Sequence, residues 1–149
     1  MSDDKLESAV REEIEALHRF FVAWFSGSVP TSDSVFEAEF LRRFDEHFVL
    51  VPPAGTVLRL SVLATNIRSA HGSNPDFRIA IRGVTIHRAW GTYILATYEE
   101  WQRNALASTP PDNGRISTAL FYSGDAFRWL HLHETWLPKT VMQRGPYDF

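Results

Sequence analysis

Glu99, His131 and His133 are the residues of this sequence whose types could do acid–base chemistry together. A carboxylate and two imidazoles in an aromatic-lined cavity can move protons. Burial raises a carboxyl group's pKa, and a neighbouring imidazole tunes it back. Thr118 or Tyr98 would donate a hydrogen bond to a substrate oxygen, with Trp101 and Trp129 framing the group. Trp24, on the apolar stripe of the first helix, completes the set of candidate ligand-binding residues. The competing reading is structural. Glu99 and His131 would satisfy each other across a sheet, or the group would lie in a dimer contact, because buried polar groups need partners whether or not they catalyse. His131 and His133 share a strand face and could hold a metal with Glu99, but the spacing fixes no third ligand and no metal site is assigned.

Pairing would bring these residues together. Gly124-Asp125 reads as a two-residue hairpin turn, which sets Ser123 opposite Ala126, Thr118 opposite His131 and Ile116 opposite His133. A register with Glu99 beside Thr118 and Gln102 beside Arg115 completes one face. The other face then shows Glu100, Ser117, Leu132, Arg115 and Glu134, with Arg115 and Glu134 as a cross-strand ion pair. His47 reads as a satisfied core or rim histidine, and His18 and Arg19 as solvent-facing. His71 and His87 have no companions that the pattern places.

The elements that must position these groups follow from periodicity. Leu6, Val10, Ile14, Leu17, Phe21, Trp24 and Phe25 recur at spacings of three and four, predicting a helix from about Ser2, Asp3 and Asp4 to Gly27. Ser34 and Glu37 have capping-box spacing before a second helix bearing Phe36, Phe40, Leu41 and Phe44. His47 to Val51 is a short strand stopped by Pro52 and Pro53. A third helix carries Leu60, Leu63, Ala64 and Ile67 and runs out near Gly72. Four long strands follow: Phe77 to Trp90, Thr92 to Arg103, Arg115 to Ser123 and Ala126 to Leu137. The apolar parity of the first switches at Gly83, which predicts a β-bulge and a bent sheet. Helices followed by antiparallel strands make an α+β fold in a single domain, residues 1–149.

Composition narrows the function. With 149 residues, 44% hydrophobic, 22% charged and a net charge of −3, the chain reads as a soluble globular domain with no clustered cations for nucleic acid. The absence of cysteine excludes disulfides, thiol nucleophiles and thiolate metal sites, and fits a reducing compartment. The acidic N-terminus lacks the pattern of a signal peptide and no apolar run would span a membrane, so a cytoplasmic location is expected. No nucleophile elbow, Walker loop or dinucleotide-type glycine loop is present. Both strand faces carry large apolar groups. Three helices cover only one, so the other is expected to be buried by a second copy of the chain.

The order and lengths of these elements resemble the nuclear transport factor 2-like superfamily over nearly the whole chain. Its members include ketosteroid isomerases, SnoaL-like polyketide cyclases, small subunits of ring-hydroxylating dioxygenases and the association domain of calmodulin-dependent kinase II. Phe127-Arg128-Trp129-Leu130-His131-Leu132-His133 is similar to the aromatic-x-x-apolar-His-apolar-His pattern that ends that association domain. Phe127 stands where Trp is usual, and Glu134-Thr135-Trp136 departs from the Ser-containing tail. The resemblance implies a cystatin-like cone, three N-terminal helices packed on a strongly bent antiparallel sheet. It implies homodimerisation through a sheet face and a pocket for a small apolar ligand, used for binding or oligomerisation. The alternative it implies is a cofactor-free isomerase, dehydratase or cyclase acting on an apolar oxygenated substrate.

Overall fold

The computed structural model describes residues 3–149. Ser2, expected at the start of the first helix, lies outside the described residues. Helix α1 spans Asp3–Ser26 and buries Val10, Ile14, Leu17 and Trp24 of the predicted stripe with Phe20 beside them, while Leu6, Phe21 and Phe25 are partly buried. Full burial of each such side chain contributes about 1.5–3 kcal/mol. Gly27, at φ +77°, ends the helix in the left-handed conformation a residue with a Cβ rarely adopts. Helix α2 is Asp33–Glu39. Its cap is Ser32, not Ser34: Ser32 has extended backbone, and its hydroxyl accepts the Val35 N–H at 3.1 Å. A 3-10 turn, Leu41–Arg43, leads into strand β1, Phe44–Val51. A two-residue strand β2, Leu58–Arg59, precedes helix α3, Leu60–Ser69.

The four long strands are β3, Arg78–Trp90; β4, Tyr93–Arg103; β5, Asn113–Ser123; and β6, Phe127–Trp136. With β1 and β2 they form one curled sheet of order β2-β1-β6-β5-β4-β3, in which β1 runs parallel to β6 and the other pairs are antiparallel. A short helix α4, Lys139–Arg144, unforeseen in the periodicity, follows β6.

Besides a shift in the parallel pairing of β1 with β6 between Phe44 and Val49, three irregularities in the antiparallel ladders shape the sheet. Gly83, at φ +64°, sits where Arg82 pairs with Glu99 but Thr85 with Thr97, so the expected bulge is present. A second shift lies between Ile86 and Arg88. The third was not foreseen. Phe121 pairs with Trp129 but Leu120 with His131, so Leu130 is an extra residue on β6. The turn before β6 also differs: Ser123 pairs with Phe127, which leaves three turn residues rather than two. Turn and bulge each shift the pairing by one residue. Together they return His131 and His133 to the face of Thr118 but set Trp129 on the opposite one.

The inner face packs against the helices. Phe20, Phe36, Phe40, Phe44, Phe48, Phe121 and Trp129 are buried in one continuous core with the α1 stripe. Trp24 Nε1 donates to the Ile67 carbonyl at 2.7 Å, and Trp129 Nε1 to Glu13 Oε1 at 3.0 Å. On the outer face the C-terminal segment crosses β3 and β4. Tyr147 meets Trp101 edge-on at 5.6 Å, and Arg82 donates to the Pro146 carbonyl at 3.1 Å. Among the described residues no helix is long and apolar enough to cross a membrane.

Candidate functional site in the cone

Adjacent inner-face rows of the sheet carry polar groups where a core would be apolar. One row is Glu134, Ser117 and Tyr98; the next is Trp136, Arg115, Glu100 and Ile81; a third joins Asn113, Gln102 and Ile79. Helix α1 lays His18 against them. Position 18 falls four after Ile14 and three before Phe21, so the helical repeat turns it inward.

His18 is 3% exposed. Its Nδ1 lies 2.7 Å from the Ile14 carbonyl and its Nε2 2.9 Å from Glu100 Oε1. Both partners are acceptors, so an imidazolium facing a carboxylate satisfies both contacts. Gln102 donates to the other Glu100 oxygen at 2.5 Å. Burial pushes the His18 pKa down, but the charge and hydrogen bond of Glu100 outweigh that and raise it. Burial likewise pushes Glu100 up, and His18 more than reverses it.

Glu134 differs. Its one hydrogen bond among the described residues comes from Arg115 Nη1 at a long 3.4 Å. Burial, then the neighbouring charge of Glu100, push its carboxyl up to about 7. The Arg115 guanidinium lies 4.9 Å from the centre of the Trp136 ring. Arg115 Nε, Tyr98 Oη and Ser117 Oγ are buried without a hydrogen-bond partner of good geometry. Burial raises the Tyr98 phenol well above its ordinary value, so it stays a donor.

These groups line or adjoin a cavity of about 150 Å³. Its walls are apolar side chains of α1 (Leu17, Phe21, Phe25), β1 (Phe44, Phe48, Leu50) and α3 (Leu63, Ile67). Its polar wall is His18, Glu100, Gln102, Arg115 and Glu134. The arrangement can accept an oxygen function at Arg115 and exchange a proton at Glu134, inside an otherwise apolar chamber.

No protein-family model and no curated protein matches the sequence. Solved structures do. A nuclear transport factor 2 (NTF2)-like protein of unknown function from Pseudomonas aeruginosa superposes at TM-score 0.75 with 29% identity, over 87% of this chain and 99% of that one. The chain has the fold of the NTF2-like proteins. A candidate dehydratase of the NTF2-like family from Streptomyces avermitilis matches at TM-score 0.66 and 14% identity, over 92% of this chain and 99% of the other. A calmodulin-dependent kinase II association-domain-like protein from Thiobacillus denitrificans matches at TM-score 0.54 and 19% identity, covering 70% and 88%.

Within this NTF2-like fold the residues singled out in the sequence fall in three places. Glu99, Thr118, His131 and His133 do share a face, but it is the outer one, and none lines the cavity. Their register is two residues from expectation: Glu99 pairs with Ile116, and Thr118 with Thr97 and His133. Glu99 Oε1 accepts from Trp101 Nε1 at 2.8 Å, and the rings of His131 and His133 lie 6.5 Å apart. Among the described residues no group of three metal-ligating side chains gathers. Trp24 and Trp129 are core residues, 1% and 0% exposed. Trp101 lies outside, under the C-terminal segment. Tyr98 alone of the set lies on the inner face among the polar rows, without lining the cavity.

The groups that build the cavity were visible in part. Alternation groups Glu100, Ser117, Leu132, Arg115 and Glu134 on one face, and the Arg115–Glu134 ion pair is present. His18, expected to face solvent, is instead buried against Glu100. The signal was its place within the Ile14–Phe21–Phe25 stripe. His47 is exposed rather than a core or rim residue, because it points away from the inner face of β1. His71 meets the Val29 carbonyl at 2.6 Å, and His87 meets Thr97 Oγ1 at 2.6 Å.

Proposed function

We propose that the cone binds a small, largely apolar molecule carrying an oxygen function, and that the chain works as a homodimer joined through the outer sheet face. The first part rests on one observation. Arg115 Nε is buried without a hydrogen-bond partner in the polar wall of a chamber whose remaining walls are hydrocarbon. Unpaired buried donors cost about 1–3 kcal/mol each, and a ligand oxygen would relieve that cost. The expected signature is a raised unfolding temperature with hydrophobic acids or ketones. Saturation at a hundred times Kd adds about 2.7 kcal/mol. A screen of such compounds with no shift would count against the pocket.

The dimer reading rests on the outer face. Two rows run across it: Val49, His131, Leu120, Leu95 and Arg88, then Val51, His133, Thr118, Thr97 and Thr85. Trp90 and Tyr93 at its edge are 47% and 42% exposed. Its apolar members, Val49, Leu120, Leu95, Val51, Trp90 and Tyr93, favour self-association of this face. Sizing in solution should give a dimer at micromolar concentration, and Leu95→Glu with Leu120→Glu should give a monomer. A wild-type monomer under those conditions would contradict the reading.

A second reading, cofactor-free acid–base catalysis, is favoured by Glu134. A carboxyl group titrating near neutral pH and facing an apolar chamber can both take and return a proton. This reading places the chemistry at Glu134 rather than at Glu99, His131 and His133.

A further inference from the structure

We propose that the cone's occupant is an apolar monocarboxylate whose head seats on Arg115, whose tail runs out over Phe25 and Phe77, and which enters together with one proton. This rests on the reading of the cone as a ligand site and adds the class of ligand and its coupling.

The path of the tail is set by a second cavity. A space of about 340 Å³ lies beneath Ala105, Leu106, Ala107 and Ser108. It shares Phe25, Phe77, Gln102 and Arg115 with the inner chamber. Those four residues border both spaces. Leu106, 75% exposed, hangs over the outer space as an apolar rim. A molecule filling both must pass Arg115, and it meets hydrocarbon on either side of it.

The head is set by the hydrogen-bond inventory. His18 uses both nitrogens, and Glu100 both oxygens. The guanidinium of Arg115 keeps Nε unpaired and touches Glu134 only at 3.4 Å. Its side chain is 11% exposed. A planar, desolvated guanidinium with free donors matches a carboxylate better than it matches a single carbonyl.

The proton follows from charge balance. The charged or titratable groups facing Glu134 are Arg115 on β5, Glu100 and Tyr98 on β4 and His18 on α1. The lining residues of β1 and α3 are all apolar. With His18 and Arg115 cationic and both glutamates anionic, the chamber is neutral, and a further carboxylate would bury an uncompensated charge. With Glu134 protonated, the incoming carboxylate restores neutrality. Glu134 holds its proton up to near neutral pH, and the ligand's charge would raise that value further.

The test is calorimetric titration of the wild-type chain with straight-chain carboxylates, hexanoate to decanoate, and with the matching amides, in buffers of different ionisation enthalpy. Carboxylate affinity should be flat below pH 7. Above it, affinity should fall up to about tenfold per pH unit, with close to one proton taken up per ligand at pH 8. Amide affinity should not depend on pH. Glu134→Gln should bind carboxylates at pH 8 as tightly as the wild type does at pH 6, without proton uptake. Amides binding while carboxylates do not, or carboxylates binding at pH 8 without proton uptake, would overturn the proposal and leave the pocket reading standing. Neither class binding would overturn both.

Discussion

His18→Leu is expected to lose about 3–5 kcal/mol of stability at pH 7, read from urea unfolding. The substitution removes no large volume. It removes the cation that faces Glu100 Oε1 at 2.9 Å in a site where the two side chains are 3% and 6% exposed. Glu100 would keep Gln102 as its hydrogen-bond donor and Arg115 as its remaining cation. A buried carboxylate stripped of its partner either stays charged at high cost or takes up a proton. The loss should therefore shrink as the pH falls and the variant's Glu100 becomes neutral. The double variant His18→Leu/Glu100→Gln should recover most of the stability, because it removes both charges and leaves an amide beside Gln102. A single-variant loss below about 1 kcal/mol would mean that the pair is not the desolvated ion pair described above.

Glu134→Gln is expected to act in the opposite direction. Its carboxyl titrates at about 4.5 in the unfolded chain and at about 7 in the folded one. Between those values the native state binds a proton that the unfolded state has lost, so wild-type stability falls as pH rises across that window. The shift corresponds to about 3 kcal/mol, at about 1.4 kcal/mol per pH unit. His18 adds to the fall above pH 6.5, since its folded pKa is also raised. The glutamine variant should match the wild type near pH 4. At pH 8 it should be the more stable by up to about 3 kcal/mol, less whatever the contact with Arg115 contributed. A variant less stable than the wild type at pH 8 would show Glu134 to be a structural carboxylate. The same variant separates binding from catalysis. If the cone is catalytic, turnover should vanish while ligand affinity persists; joint loss of both would leave Glu134 a binding residue only.

Much of the fold was legible because it rests on local pattern. The α1 stripe, the four long strands and the Gly83 bulge all follow from periodicity or from one residue with a positive φ. The parallel contact of β1 with β6 was not legible, because it joins segments some 80 residues apart and leaves no local signature. The site was half legible for a related reason. Alternation sorted Glu100, Arg115 and Glu134 together but could not say which face the helices would cover. The choice between the faces depends on how β6 is threaded past β1 and β5, and that depends on Leu130. Unlike Gly83, Leu130 has no backbone peculiarity to announce a bulge, and nothing around it breaks the apolar pattern. His18 shows the other limit. An inward histidine on an amphipathic helix looks like a boundary residue until its partner, 82 positions away, is known.

The central claim is that ligand binding belongs to the inner chamber around Arg115 and Glu134 and not to the outer face. A resonance-by-resonance NMR titration with decanoate at pH 6 tests it most directly. The largest shifts are expected at the Arg115 Nε–H, at Gln102, and at Leu17, Phe25, Phe77 and Leu132, which surround the two cavities. Thr118, His131 and His133 should stay within the noise. Shifts confined to Thr118, His131, His133 and Glu99, with Arg115 unmoved, would contradict it and place the ligand on the outer face.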